Sequence, residues 1–111
     1  MKGQELYGYH GKLLRIDLTQ ESFETEPLDP EDLRLFLGGR GLGAALLLRE
    51  LPRQTDPLSD ENPLIFSIGP LVGTGVAGSN RYVLHTKSPQ TGLYLFSVSG
   101  GHFGREMKGT G

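Results

Sequence analysis

The chain has 111 residues, 36% of them hydrophobic, with 17 glycines, a net charge of −2 and no cysteine. That length bounds it at one domain or less with a single modest core, and the charge leaves no electrostatic footprint for nucleic acid. No apolar run approaches the ~18 residues of a membrane helix, and without cysteine these residues hold no disulfide, thiolate zinc site or cysteine-ligated iron–sulfur cluster.

Residues 12–18 alternate, with Leu14, Ile16 and Leu18 on one face and Leu13, Arg15 and Asp17 on the other, the pattern of a half-buried strand. A polar turn over 19–22 and a second extended stretch at 23–26 complete a hairpin. Asp29-Pro30-Glu31-Asp32 starts a helix over 30–37, with an aspartate N-cap, proline at the first position and acids in the first turn. After Gly38-Gly39-Arg40-Gly41-Leu42-Gly43, a second helical stretch covers 44–51 and stops at Pro52. Its glycines either break one helix into two or let the second pack tightly on a sheet. Leu33, Leu37, Leu46, Leu47 and Leu51 are the candidate core of this pair.

Residues 56–63 read as a surface loop. Strands are expected at 63–69, 81–87 and 93–99, with a turn at 88–92 and a last helix over 103–108 that Gly109 would cap. The fold class is therefore α+β, with a largely antiparallel β-sheet and one or two helices. The amino terminus, Met1-Lys2-Gly3-Gln4-Glu5, carries no apolar signal core, so a cytoplasmic setting is the default.

The chemistry concentrates in the last third. Three glycine-rich loops punctuate short strands there, and glycine lets main-chain N–H and C=O groups approach a ligand closely. Gly73-Thr74-Gly75-Val76-Ala77-Gly78 has the G-x-G-x-x-G form. A dinucleotide site also needs a helix directly afterwards and an acid about 20 residues on. Asn80-Arg81-Tyr82 leads into a strand instead, and Val98 stands where the acid belongs. Ser79 occupies the lysine position of a P-loop, and no kinase catalytic loop follows. Arg81, between a glycine loop and a strand, suits a bidentate grip on phosphate, although a plain surface role is open to it. The same alternatives hold for Arg40. If the last two strands form a hairpin, Arg81 and the Ser99-Gly100-Gly101 loop fall at the same end of the sheet. His10, His85 and His102 are too scattered to read as a metal site, and no carboxylate pair or Ser/His/Asp set stands out. The sequence offers binding chemistry without a visible catalyst.

Pro63-Leu64-Ile65-Phe66, Gly69-Pro70-Leu71-Val72-Gly73-Thr74, Asn80-Arg81-Tyr82, Thr86-Lys87-Ser88-Pro89, Thr91-Gly92 and Ser99-Gly100-Gly101 followed by Phe103-Gly104 and Glu106 occur in that order. Together with Gly11–Leu18 (GKLLRIDL), Leu37–Gly43 (LGGRGLG), Asp56-Pro57-Leu58-Ser59 and Glu61-Asn62, they resemble the amino-terminal domain of the aldehyde ferredoxin oxidoreductases, through nearly the whole chain. The resemblance implies half of a duplicated, β-rich, pterin-binding base domain in a tungsten enzyme with a bis-pterin (tungstopterin) cofactor. It implies cofactor contacts at Arg81, Val98, Ser99 and Gly100. The Val98 main-chain carbonyl would serve as a ligand to the magnesium that bridges the two pterin phosphates. Many relatives have asparagine at position 98, and valine removes that side-chain contact. The family's [4Fe–4S] cluster, ligated by cysteines of later domains, is absent from these residues. Implied partners are the remainder of the enzyme or a second copy as a homodimer, with ferredoxin as electron acceptor for aldehyde oxidation. Ring reduction of an aromatic thioester is a sister activity on the same scaffold. A non-catalytic assembly module without cofactor is the alternative.

Overall fold

The computed structural model describes residues 7–111, so the reading of the amino terminus lies outside the described residues. Eight elements follow one another: β1 (Lys12–Asp17), β2 (Ser22–Pro27), α1 (Pro30–Phe36), α2 (Gly39–Glu50), β3 (Ile65–Ile68), β4 (Tyr82–Lys87), β5 (Tyr94–Ser99) and α3 (Phe103–Gly109). The α+β class and antiparallel pairing are as expected. The strands nevertheless divide into two sheets, a β1–β2 hairpin and a three-stranded sheet ordered β3-β4-β5, and the described residues hold three helices.

The hairpin pairs Lys12 with Pro27 through to Asp17 with Ser22. At its turn the Asp17 carboxylate accepts from the Thr19 and Gln20 N–H groups at 3.0 and 3.1 Å, replacing bonds the ladder no longer supplies. Its faces are the reverse of the expectation. Leu14, Ile16 and Leu18 are 57, 60 and 85% exposed, while Leu13 and Arg15 turn toward the body. The cause is Arg15, whose guanidinium donates to Glu26 at 3.0 Å and to Glu50 of α2 at 2.8 Å. With both carboxylates in reach, the charged face docks and the apolar one stays open.

Asp29 caps α1 by accepting from the Glu31 N–H at 2.9 Å. The helix ends at Leu37, whose positive φ of 64° turns its side chain out, so this candidate core residue is exposed. Here α2 starts at Gly39, five residues before the expected start, and runs through Gly41 and Gly43. Those glycines serve packing rather than helix breaking, because α2 lies directly on β3 and β4. Leu33, Leu42 and Leu47 of the two helices join Val72 and Val83 as the buried apolar core, while Leu46 and Leu51 are half-buried. The last helix includes Gly109, and Thr110 caps it in place of that glycine. Lys108 fastens it by donating from Nζ to the carbonyls of Gly8 and, at 3.2 Å, Pro70.

Candidate functional site

Strands β4 and β5 form a hairpin with Tyr82 opposite Ser99, Val83 opposite Val98 and Lys87 opposite Tyr94. Its loop is closed by the Ser88 N–H bonding the Leu93 carbonyl at 2.8 Å, with Gly92 at φ 72°. This register sets Arg81, one residue before β4, beside Gly100, one residue after β5. The two loops also touch: the Asn80 side chain donates to the Gly101 carbonyl at 3.2 Å. Below them, Phe103 lies against Tyr82 and Phe66, with ring centroids 4.6 and 5.5 Å away. Gly104 is buried where a Cβ would sit 3.2 Å from the Asn80 carbonyl oxygen. An aromatic cluster and a close helix contact thus brace the end that carries Arg81, Val98, Ser99 and Gly100.

The ladder fixes which main-chain groups are free at this end. The Ser88 N–H points to β5, whereas both main-chain groups of Lys87 bond the Asn62 side chain on the β3 side, at 3.1 and 3.0 Å. Alternation along an antiparallel pair then directs Leu95, Ser97 and Ser99 toward β4. It turns the N–H and C=O of Tyr94, Phe96 and Val98 outward to the open edge of the sheet. Among the described residues the Val98 carbonyl therefore has no hydrogen-bond partner, and its strand is exposed. Gly100 adds room, since a Cβ there would meet nothing closer than the Asn80 amide nitrogen at 3.8 Å. Arg81 is exposed and makes no ion pair among the described residues, unlike Arg15, Arg34 and Arg49. One end of the sheet thus carries an exposed guanidinium on β4's side and, on β5's outer edge, a carbonyl oxygen and unobstructed backbone, groups of the kind that a phosphate and a hard cation take. It is an open sheet edge rather than a cleft. Two grooves lie elsewhere, one on the outer hairpin face at Leu14, Ile16 and Phe23 and one between α2 and the start of β5 at Leu48 and Leu93.

Sequence reasoning missed the polar centre behind this edge. His85 is fully buried at the middle of β4. Ser67 of β3 donates to the Gly39 carbonyl at 2.6 Å, so its oxygen accepts from His85 Nε2 at 2.6 Å. The remaining ring nitrogen, Nδ1, accepts from the Tyr94 hydroxyl at 2.8 Å. Burial holds the imidazole below its ordinary pKa and the Tyr94 phenol above its own. The α2 backbone presses so close that a Cβ on Gly43 would lie 2.0 Å from His85 Nε2. The available signal was His85 alternating with Val83 on one face of a strand that follows a glycine-rich helix start. Arg40, in the first turn of α2, lies over the Phe96 ring at 4.7 Å and makes no ion pair among the described residues. The three histidines stay apart, and no group of three or more metal-binding side chains forms among the described residues. No helix among them is long and apolar enough to cross a membrane.

A sequence model of one family, aldehyde ferredoxin oxidoreductase, N-terminal domain, matches residues 13–111. The chain belongs to that family. It is 44% identical over 106 residues to the tungsten-containing aldehyde ferredoxin oxidoreductase of Pyrococcus abyssi, covering 96% of this chain and 18% of that protein. It is 38% identical over 109 residues to the aliphatic sulfonate oxidoreductase, WOR-like subunit, of Pyrococcus furiosus, covering 96% of this chain and 17% of that one. Among solved structures, the active site complex BamBC of benzoyl coenzyme A reductase with 1,5-dienoyl-CoA aligns with a TM-score of 0.88 and 44% identity. The alignment covers 92% of this chain and 16% of that chain. The chain thus spans less than a fifth of the relatives it matches, as an oxidoreductase domain from the amino-terminal region of larger enzymes.

Proposed function

We propose that this chain seats one pterin of a tungsten bis-pterin cofactor in an oxidoreductase that converts aldehydes to carboxylic acids with ferredoxin as acceptor. What supports the reading is the β4–β5 register, which brings Arg81 to the same sheet end as Val98 and the open Gly100 backbone. Backbone groups around Gly100 would seat the phosphate region, and Arg81 would reach the pterin and the nearby cluster with a fixed positive charge, since a guanidinium keeps its proton. Val98 would offer its carbonyl oxygen to the bridging magnesium, a hard cation that takes oxygen ligands. Gly100 would present backbone without a side chain in the way, next to Ser99, whose own main-chain groups face β4. The metal cofactor supplies the redox chemistry when bound, and the chain's share is placement and electrostatics. A [4Fe–4S] cluster would be ligated by other parts of the enzyme, and a cytoplasmic setting belongs to the same reading.

The chain alone would be inert, and its surface supports a missing neighbour. Its accessible area is 8188 Å², against roughly 6,000 Å² for a compact monomer of this mass. The exposed Leu14, Ile16, Leu18 and Phe23 stripe and the open β5 edge are surfaces that pair readily. Either the remaining polypeptide or a second copy, as a homodimer, would cover them. A second substrate reading, reduction of an aromatic CoA thioester, draws support from the benzoyl coenzyme A reductase likeness, whose identity equals that of the aldehyde enzyme at 44%.

The test is cofactor loading in the assembled enzyme. Gly100→Val and Arg81→Ala should each lower tungsten and pterin content while leaving the fold intact, because neither residue packs against the core. Full loading in both variants would remove the cofactor role and leave the assembly-module reading. Assay with an aldehyde and with benzoyl-CoA separates the two substrate classes.

A further inference from the structure

We infer that His85 is a positioning residue: through the Tyr94 hydroxyl it fixes the edge strand β5 and so sets where the Val98 carbonyl is presented. The importance of that carbonyl rests on the cofactor-seating reading; the mechanical link does not. An edge strand is bonded on one side only, and the three residues directed away from β4 contribute no ladder bonds to hold it. Strand β5 compensates through side chains. Tyr94 bonds the buried imidazole at 2.8 Å, and two residues on, Phe96 lies under the Arg40 guanidinium at 4.7 Å. Both anchors lie on the α2 face of the sheet, and Val98 is the next residue on that face.

The imidazole itself has no freedom. Gly43 of α2 closes one side, and Ser67 of β3 holds Nε2 while donating to the Gly39 carbonyl at the start of α2. One unbroken chain of hydrogen bonds therefore runs from the α2 backbone through β3 and β4 to the strand that ends at the site. The titratable and charged groups around the ring are few: Tyr94 from β5, and Arg40 from α2 beyond the Phe96 ring. Neither compensates a charge on the imidazole. Protonation would take the acceptor from Tyr94, because a charged ring only donates.

Amide hydrogen exchange on the chain tests the link. Tyr94→Phe keeps the ring and deletes only the hydroxyl. It should speed exchange of the Leu95 and Ser97 amides by about tenfold, the worth of one net hydrogen bond, and leave the β1–β2 amides unchanged. In the parent chain, protection at these two amides, corrected for intrinsic exchange, should weaken as pH falls below 6.5, and the dependence should be smaller in Tyr94→Phe, where no hydroxyl bond remains for protonation to remove. Unchanged β5 exchange, or equal acceleration across both sheets, would overturn the inference. These readouts involve no cofactor, so they can fail while Arg81→Ala still empties the enzyme, and they can hold when it does not.

Discussion

Substituting Gly43 with alanine tests whether the α2-to-sheet distance is set by the buried histidine. The added Cβ would stand 2.0 Å from His85 Nε2, 2.4 Å from Cδ2 and 2.5 Å from Cε1, so the ring would have to move by more than 1 Å to reach an ordinary contact of about 3.5 Å. It cannot do so and keep bonds of 2.6 Å to Ser67 and 2.8 Å to Tyr94. Overpacking of this kind costs about 2 kcal/mol, and two strained or broken buried hydrogen bonds cost about 1 kcal/mol each. Alanine returns about 1 kcal/mol of helix propensity over glycine. The net loss is about 3 kcal/mol, a large part of the ~5–15 kcal/mol that holds a small domain, and corresponds to about 12 °C in Tm. Thermal and urea melts followed by circular dichroism measure it. Gly69→Ala, where an added Cβ would meet nothing within 4 Å, is the control and should change little. In the background of His85→Ala, Gly43→Ala should lose most of its cost, since the clash partner is gone. A Gly43→Ala chain as stable as its parent would refute the reasoning, because alanine's propensity would then act unopposed.

Stability should rise with pH through the histidine range. His85 is neutral in the fold with its pKa depressed by burial, so its contribution is complete above the unfolded value of 6.5 and is lost as pH falls from there through the folded value. Urea midpoints between pH 5 and 7.5 check this, and His85→Gln should flatten the slope. Arg15→Gln should loosen the hairpin from α2, seen as faster exchange of β1 and β2 amides. The difference should shrink at about 1 M salt, because the guanidinium and its carboxylates are partly exposed. Elemental analysis of the purified chain should find no iron and no stoichiometric tungsten, and near one tungsten per chain would show that half a cradle suffices. Sedimentation should find a homodimer; a well-behaved monomer at high concentration would leave the remaining polypeptide as the cover for the apolar faces.

The legible parts of this fold were those decided by local chemistry. The Asp29-Pro30 cap, the strand alternation and the Ser88–Gly92 turn each act within a few residues, and the last two suffice to bring Arg81 to the same sheet end as Gly100. Two features depended on distant partners, a third on the backbone of a single residue, and all three were hidden. The hairpin faces reversed because Arg15 finds Glu50, which lies 35 residues away and which no periodicity in β1 registers. The start of α2 lies earlier than glycine's low helix propensity suggests, because at Gly43 only glycine fits against His85. The helix-spaced Leu37 falls outside the core because α1 stops one residue earlier and Leu37 takes a positive φ, closed by the Gly38 N–H bonding the Phe36 carbonyl at 2.7 Å.

Rigidity and openness are divided between the two sides of the three-stranded sheet. Behind β4, a helix backbone, a serine and a histidine are locked within hydrogen-bond distance, with no room for a methyl group at Gly43. At the β5 edge, every residue from Thr91 to Phe103 is exposed and the outward main-chain groups have no ladder partner. An edge left this open is a pairing hazard for an isolated chain. The same openness is what a ligand bound through backbone atoms requires, provided the strand that carries them cannot drift. Tyr94 and Phe96 meet that condition from the closed side of the sheet, so the strand can be solvent-exposed and still hold Val98 in a fixed place.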